Sequence, residues 1–194
     1  MILVTGGVRS GKSEFAENYA REYMLKHAYA PEQMCYIATS KRDFGMQARI
    51  EAHQARRPAE WRTLEKYRDF VVEDFDHTKV AILDCAGVMA TNLMFDLPGL
   101  EHLSEGELYA DVWREFASLL RAARAAGIEL VIVSNEVGWG LVSEHRVGNQ
   151  FRDLLGAVNK EIARHAQKVF LLVSGIPLCI REREDDGGEN EWNM

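Results

Sequence analysis

A glycine-rich segment near the start of the chain has residue types and a spacing that suit phosphate binding. Two glycines separated by four residues are followed by lysine and serine, in the pattern G-x-x-x-x-G-K-S. An apolar run at residues 2–4 precedes the segment and helix-forming residues 14–20 follow it, which is the strand–loop–helix context that a phosphate-binding loop requires. The segment consists of Gly6, Gly7, Val8, Arg9, Ser10, Gly11, Lys12 and Ser13. A glycine turn with an incidental lysine is the alternative interpretation.

Four residues of this loop have predicted roles in phosphate chemistry. Gly6 and Gly11 allow backbone conformations that a Cβ atom would obstruct, so consecutive N–H groups can turn inward. The helix that follows presents the positive end of its dipole to the same anion. We expect Lys12 to reach the β- and γ-phosphates as a catalytic residue and the Ser13 hydroxyl to ligate Mg²⁺.

A carboxylate follows another strongly apolar stretch. Residues 80–83 read Val-Ala-Ile-Leu, and Asp84 comes directly after them. Ligands of open α/β sheets bind at the carboxyl ends of the strands, and enzymes with a phosphate-binding loop hold Mg²⁺ with an acidic residue there. Asp84 is therefore a candidate metal ligand. An N-cap or an ordinary loop acid is the alternative.

One of the six histidines has a cationic and aromatic neighbourhood. His53 lies in a predicted helix and is followed by Arg56, Arg57 and Trp61. A neutral imidazole is a competent nucleophile toward phosphorus when nearby cations stabilise the developing charge. A solvated surface histidine is the alternative, and the residues by themselves do not decide between the two.

Polar residues also follow the apolar stretch 129–133. Asn135 and Glu136 would face the ligand edge of the sheet, whereas Trp139 is either a ligand-facing aromatic or a loop anchor. Arg146 and Arg152 on the next helix could meet phosphate or serve as surface ion-pair partners.

The elements that would position these residues alternate between strand and helix. Because the strands are continuously apolar, the pattern predicts an α/β fold with a mostly parallel sheet covered on both faces. We expect strands near residues 2–5, 34–38, 61–64, 80–84, 129–133 and 169–173, with 178–180 pairing back after a turn. We expect helices near residues 14–27, 43–55, 65–75, 88–95, 104–126 and 146–167.

Composition and charge restrict the classes of function. The 194 residues suit one domain, predicted over residues 1–181, followed by a disordered acidic tail over 182–194. The net charge of −7 argues against a nucleic-acid partner. No apolar run is long enough for a membrane span, and the three widely separated cysteines are expected to be reduced. These features predict a cytoplasmic protein.

Several blocks, taken in order, resemble the bifunctional adenosylcobinamide kinase/adenosylcobinamide-phosphate guanylyltransferase family of cobalamin biosynthesis. The phosphate-binding loop is common to many proteins, whereas the block His53-x-x-x-Arg57-Pro58-x-x-Trp61 and the block 135–138 are far more specific. The resemblance extends over residues 1–181. The blocks are residues 2–13, 36–40, 49–63, 91–93, 134–142, 152–153 and 173–175.

This resemblance implies a P-loop NTPase (RecA-like) three-layer fold and two reactions. A nucleoside triphosphate, ATP or GTP, phosphorylates adenosylcobinamide, and GTP then donates GMP to that phosphate through a guanylyl-histidine at His53. It also implies Mg²⁺ as cofactor and a homotrimer. Nucleotide-binding positions beyond the loop are implied at Ala38, Thr39, Ser40, Gln54, Ala55, Arg56, Arg57, Glu65 and Asp84.

The chain departs from the family pattern in a few places. Asp84 stands where many relatives carry glutamate, Arg56 stands where some have glycine, and the stretch 25–33 looks longer than in short relatives. A nucleotide-binding switch or an ATPase subunit without corrinoid chemistry is the alternative function.

Overall fold

The computed structural model describes residues 1–40, 58–140 and 142–183 of the chain. Strands and helices alternate along these residues, with short 3₁₀ turns at Pro31–Gln33 and Val72–Phe75. The elements are β1 (Ile2–Gly6), α1 (Lys12–Lys26), β2 (Met34–Ala38), β3 (Arg62–Glu65), β4 (Val80–Asp84), α2 (Ala86–Asp96), α3 (Glu105–Ala125), β5 (Glu129–Val133), α4 (Arg146–His165), β6 (Lys168–Val173) and β7 (Ile176–Glu182).

The strands form one sheet in the order β3-β2-β4-β5-β1-β6-β7. Neighbouring strands from β3 to β6 pair in parallel, and β7 pairs antiparallel with β6. The carboxyl ends of β1 to β5 therefore lie at the same edge of the sheet. The loop after β1 and Asp84 at the end of β4 share this edge.

Alternate residues of each strand enter two cores, one on each face of the sheet. Leu3 and Ile37 pack with residues of α2, α3 and α4, whereas Val4 and Tyr36 pack with residues of α1. Because successive strand side chains point to opposite faces, the continuously apolar strands require helices on both sides. The predicted three-layer α/β fold is confirmed.

Local signals in the sequence predicted several element ends. Ser104 caps α3: the N–H of Glu107 donates to Ser104 Oγ over 3.3 Å, and Glu107 Oε2 accepts from the N–H of Ser104 over 3.0 Å. Gly127, two residues beyond Ala125, has the positive φ of 64° that ends the helix. The predicted return of residues 178–180 is confirmed by β7.

The helix predicted over residues 65–75 is wrong. Residues 66–71 are irregular between β3 and the 3₁₀ turn Val72–Phe75, and Asp69 has a φ of 56°. The side chains of Phe70 and Phe75 are both buried in the core on the α3 side. Asp74 accepts from Lys66 Nζ over 2.7 Å and from the N–H of Val71 over 2.9 Å. Burial of these two aromatic rings and this local network override the weak helical propensity of the segment.

The predicted helix over residues 43–55 and the predicted tail over residues 182–194 fall wholly or partly outside the described residues. The helix predicted over residues 43–55 lies outside the described residues. Strand β7 includes Glu182, so the sheet extends into the segment expected to be a tail, and residues 184–194 are also outside the description. Among the residues that the structure describes, no helix has the length and hydropathy of a membrane span.

Candidate active site

The loop between β1 and α1 depends on glycine at two positions. Gly6 has a φ of 146°, and a Cβ atom there would lie 2.4 Å from the carbonyl oxygen of Leu172. Gly11 adopts a left-handed conformation with a φ of 89°, immediately before the first residue of α1. Residues with a Cβ adopt such angles at a cost, so the glycines of the pattern have a direct structural reason.

Lys12 begins α1 and folds back over the loop. Its side chain is buried, with 7% of the residue exposed, and Nζ donates a hydrogen bond to the carbonyl oxygen of Gly7 over 2.6 Å. Gly7, Val8 and Arg9 are exposed at the apex of the loop. The ammonium group is thus held beneath an exposed loop of backbone N–H groups, which is the arrangement that favours a polyphosphate.

The charges of Lys12 and Asp84 both act on the thiol between β4 and α2. Burial, followed by the negative charge of Asp84, raises the pKa of Cys85 to about 11; hydrogen bonds from the backbone of Val88 and Gly87 and, more weakly, the positive charge of Lys12 oppose this shift. This agrees with the sheet topology, which places the loop and the end of β4 at one edge.

The carboxylate of Asp84 is hydrogen-bonded to a side chain of the core. The buried phenol of Tyr36 donates a hydrogen bond to Asp84 Oδ2. The N-cap of α2 is Cys85, and no side chain caps that helix, so the N-cap interpretation of Asp84 is wrong. The carboxylate is partly exposed at the ligand edge. Its position is consistent with metal ligation.

Thr39 joins the ends of β2 and β4 through its side chain. Its hydroxyl donates to the carbonyl oxygen of Cys85 and accepts from the N–H of the same residue, both over 3.0 Å, and Thr39 is only 1% exposed. Asn92 of α2 donates to the carbonyl oxygen of Thr39 over 2.6 Å. Thr39 lies at the expected edge, but its hydroxyl is used within the protein.

The other predicted strand-end residues lie next to one another. Ala38 is in register with Asp84 on one side and with Glu65 on the other. Ser40, two residues after Ala38, is partly exposed. The structure thus brings Ala38, Ser40, Glu65 and Asp84 to one edge. His53, Gln54, Ala55, Arg56 and Arg57 lie outside the described residues.

The loop after β5 is attached to the strand that carries the phosphate-binding loop. The N–H of Ser134 donates to the carbonyl oxygen of Val4 over 2.9 Å, and the N–H of Glu136 donates to that of Gly6 over 3.0 Å. From α4, Asn159 donates to the carbonyl oxygen of Asn135 over 3.0 Å. The predicted position of Asn135 and Glu136 beside the site is confirmed.

The structure shows the surroundings of three residues further along, for which the sequence left alternatives open. Trp139 is 77% exposed, so it does not anchor its loop in the core. Arg152 forms a surface ion pair with Asp153, with 3.4 Å between Nε and Oδ1. Arg146 makes no ion pair with the described residues and lines a cavity at the start of α4.

The turn between β6 and β7 also contacts the loop, a contribution that sequence reasoning missed. The N–H of Gly175 donates to the carbonyl oxygen of Ser10 over 3.2 Å. The Ser174–Gly175 pair indicated only a turn. Its contact with a loop more than 160 residues earlier in the chain depends on the pairing of β1 with β6.

The two predicted metal ligands, Ser13 and Asp84, would both bind a cation through oxygen atoms. The hydroxyl of Ser13 lies in the first turn of α1 and the carboxylate of Asp84 at the end of β4. Magnesium prefers oxygen ligands and usually keeps water and substrate phosphates in its coordination shell. In the described part of the chain there is no cluster of three or more His, Cys, Asp or Glu side chains that could hold a metal ion. Ser13 and Asp84 therefore suit a Mg²⁺ ion that binds together with the phosphates of a nucleotide.

A family model described as cobinamide kinase / cobinamide phosphate guanyltransferase matches residues 2–180. The chain belongs to this family. The match runs from β1 into β7, so it is not limited to the widespread phosphate-binding loop. Membership of the family favours the kinase and guanylyltransferase interpretation over a nucleotide-binding switch.

Three curated relatives are similar to this chain over most of its length. The chain is 40% identical over 188 residues to the bifunctional adenosylcobalamin biosynthesis protein CobU of Escherichia coli, covering 93% of this chain and 99% of that protein. It is 42% identical over 189 residues to the protein of that name from Salmonella typhimurium, with the same coverage. It is 32% identical over 183 residues to the bifunctional adenosylcobalamin biosynthesis protein CobP of Pseudomonas aeruginosa, covering 92% and 96%.

Proposed function

We propose that this protein phosphorylates adenosylcobinamide with a nucleoside triphosphate and then transfers GMP from GTP to the product. The second reaction gives adenosylcobinamide-GDP and pyrophosphate. The observation that carries the proposal is the position of Lys12 and Asp84 at one sheet edge, in a chain that belongs to the cobinamide kinase / cobinamide phosphate guanyltransferase family.

In the kinase reaction, the hydroxyl oxygen of the substrate attacks the γ-phosphorus and the nucleoside diphosphate leaves as the P–O bond breaks. The N–H groups of the loop and the N-terminus of α1 hold the phosphates, and the Lys12 ammonium stabilises the charge on their oxygens. The proton of the hydroxyl is lost to water or to a phosphate oxygen. Bound Mg²⁺, ligated by Ser13 and Asp84, would supply additional charge neutralisation at the phosphates.

In the guanylyl transfer, an imidazole nitrogen of His53 attacks the α-phosphorus of GTP and pyrophosphate leaves. A phosphate oxygen of adenosylcobinamide phosphate then attacks the phosphorus of this guanylyl-histidine; the P–N bond breaks, the imidazole is released, and the pyrophosphate linkage of the product forms. The assignment of His53 rests on the resemblance of its sequence block. We propose that the guanine nucleotide binds near Ser40, Arg56, Arg57 and Glu65.

We include Thr39 in the proposed nucleotide site as a residue that supports the sheet edge. Its hydroxyl pairs with both backbone groups of Cys85, which supports this role. Gln54 and Ala55 belong to the His53 block and are included in the proposed nucleotide site on the same resemblance.

We also propose a cytoplasmic homotrimer. Strand β7 lies at the edge of the sheet, and its residues Ile176, Leu178 and Ile180 are all more than half exposed. Residues two apart on a strand share one face, so Ile176 and Leu178 lie on one face of β7, and Ile180 follows at the bulge in its pairing with β6. Together they form an exposed apolar surface of the kind that association between copies would cover. Light scattering coupled to size-exclusion chromatography tests this proposal, and a monomeric mass would refute it.

The guanylyl-histidine is tested by incubation with GTP labelled at the α-phosphate. We expect a covalent label that is stable in alkali and labile in acid, and that is lost in His53→Ala. A parallel assay with γ-labelled nucleotide and cobinamide tests the kinase. Absence of covalent label in protein that phosphorylates cobinamide would refute the histidine intermediate, whereas absence of both signals would refute the proposed function.

A further inference from the structure

A cavity of about 830 Å³ lies between the first turns of α3 and α4, apart from the phosphate-binding loop. Its volume is within the range of roughly 300–1,000 Å³ that is typical of pockets for organic ligands. The lining residues are Leu103, Ser104, Glu105, Gly106, Glu144, Arg146, Asn149, Gln150 and Asp153.

The topology places this cavity at the ligand edge of the sheet. Helix α3 ends at Ala125, just before β5 begins at Glu129, so its first turn lies toward the carboxyl end of that strand. Helix α4 follows β5, so its first turn lies at the same end. Strand β5 is the direct neighbour of β1, whose carboxyl end carries the phosphate-binding loop.

One loop connects the two places. The chain leaves β5 beside the phosphate-binding loop, where the N–H of Glu136 donates to the carbonyl oxygen of Gly6, and reaches the cavity wall at Glu144. Between these points Trp139 and Val142 are exposed, at 77% and 69%. An extended ligand in the cavity would therefore have an apolar surface along its path to the phosphates.

Gln150 is the polar side chain that indicates a ligand. It is 91% buried, since 9% of the residue is exposed, and it lines the cavity. Among the described residues its amide has no hydrogen-bond partner. In contrast, the amide of the neighbouring Asn149 accepts from the N–H of Ser143 over 2.9 Å and donates to its carbonyl oxygen over 2.8 Å. The amides of largely buried side chains are normally hydrogen-bonded, and this one is accessible from the cavity, so Gln150 is suited to an external partner.

The charge of the lining argues against a second nucleotide. The charge of Asp153 is balanced by its ion pair with Arg152. The remaining charged groups of the lining are the carboxylates of Glu105 and Glu144 and the guanidinium group of Arg146. A polyphosphate would meet an excess of negative charge. A large cationic ligand that carries amides around its rim matches the carboxylates and the unpartnered amide.

We propose that this cavity binds the corrinoid part of the substrate. Corrinoids are flat macrocycles with a central cobalt cation and a rim of primary amides, which can exchange paired hydrogen bonds with Gln150. The hydroxyl-bearing arm then points from the cavity toward the phosphate-binding loop at the same edge of the sheet. This proposal rests on the proposed function, because it identifies where the acceptor of that reaction is held.

The decisive variant is Gly106→Trp, which fills the cavity. A Cβ atom at Gly106 meets no heavy atom within 4 Å, so the new side chain has room to enter. The matched control is Ala125→Trp, an exposed position of the same helix about 28 Å further along its axis at 1.5 Å per residue. Kinase assays with cobinamide and γ-labelled nucleotide give the KM for each substrate.

We expect Gly106→Trp to raise the KM for cobinamide by about tenfold or more, with the nucleotide KM unchanged, and Ala125→Trp to alter neither. Gln150→Leu, which keeps the side-chain size but removes the amide, is expected to raise the cobinamide KM about tenfold and serves if Gly106→Trp does not fold. Unchanged cobinamide KM values in the folded variants would overturn the proposal. A change in oligomeric mass without a change in cobinamide KM would also overturn it, and would identify the cavity as a contact between copies. If the wild-type protein phosphorylates no cobinamide, the proposed function itself fails.

Discussion

The phenol of Tyr36 donates a hydrogen bond to the carboxylate of Asp84 across the neighbouring strands β2 and β4. Tyr36 is buried on the α1 side of the sheet, so the carboxylate at the ligand edge is oriented by a group inside the core. Groups that hydrogen-bond to a metal ligand restrict its orientation and thereby strengthen metal binding.

Tyr36→Phe is expected to weaken the use of Mg²⁺ without unfolding the protein. Loss of the phenol removes one constraint on the orientation of Asp84, and removal of such a supporting group lowers metal affinity by about 10- to 100-fold. The measurement is the Mg²⁺ concentration that gives half-maximal kinase and guanylyltransferase rates. Tyr67→Phe is the matched control, since it removes another phenol–carboxylate bond, of 2.7 Å, to Asp96. An equal shift in both variants would contradict the role of Tyr36.

Lys12→Ala and His53→Ala should separate the two reactions. Lys12 lies in the loop that we propose holds the triphosphate in both reactions, so its loss is expected to reduce both rates by a factor of about 100 or more. His53 is assigned only to the covalent step, so His53→Ala should abolish GMP transfer and leave phosphorylation of cobinamide intact. Parallel assays with α- and γ-labelled GTP measure the two rates. A His53→Ala protein that still transfers GMP would show that the nucleophile is another group.

Gly6→Ala should destabilise the fold, whereas Gly7→Ala should not. A Cβ atom at Gly6 would lie 2.4 Å from the carbonyl oxygen of Leu172 at a φ of 146°, whereas a Cβ atom at Gly7 meets nothing within 4 Å. Backbone strain and overpacking together are expected to cost about 2 kcal/mol or more at Gly6. Urea unfolding of the two variants and the wild type measures the difference. Equal stability of the two variants would contradict the geometry of this loop.

Thr39→Val should lower stability, because both backbone groups of Cys85 lose their hydroxyl partner. The carbonyl oxygen still accepts from the N–H of Met89 over 3.0 Å, whereas the buried N–H is left unsatisfied, which costs about 1–3 kcal/mol. Thr63→Val makes the same change at an exposed position of β3 and should be nearly neutral. The free energy of unfolding in urea is the readout. A loss of nucleotide affinity at unchanged stability would instead make Thr39 a direct nucleotide contact.

His165 should make stability fall in mild acid. Burial lowers the pKa of His165 below its ordinary value of 6.5; the nearby Glu161 raises it, whereas Arg183 and Arg164 lower it further. The unfolded chain therefore binds a proton more readily than the folded protein. The stability contribution of the neutral ring is complete above pH 6.5 and is lost as the pH falls from there through the lower folded-state pKa.

Urea unfolding at pH 8 and at pH 5.5 measures this effect. His165→Gln, which does not titrate, is expected to show a smaller loss of stability between the two pH values than the wild type. His27→Gln, at the end of α1, is the control for the loss of a histidine elsewhere. Identical pH dependence in His165→Gln and the wild type would contradict the prediction.

Local pattern was sufficient to predict the phosphate-binding loop and the sheet. The spacing from Gly6 to Ser13 and the apolar runs are contiguous in the sequence, so their physical requirements can be read without tertiary contacts. Asp84 was identified for the same reason, because a residue at the end of a buried parallel strand must lie at the ligand edge. The helix predicted over residues 65–75 failed where distant packing partners of Phe70 and Phe75 outweighed local propensity.

The sequence by itself determined the α/β architecture, the loop and the family resemblance, since these depend on residue type, period and order. Only the tertiary structure placed the phenol of Tyr36 on Asp84, turned the hydroxyl of Thr39 toward Cys85 and left the amide of Gln150 facing a cavity. Each of these depends on contacts between segments distant in the chain, or on the space left between two packed helices. Such relationships follow from strand register and helix packing, which no short stretch of sequence encodes.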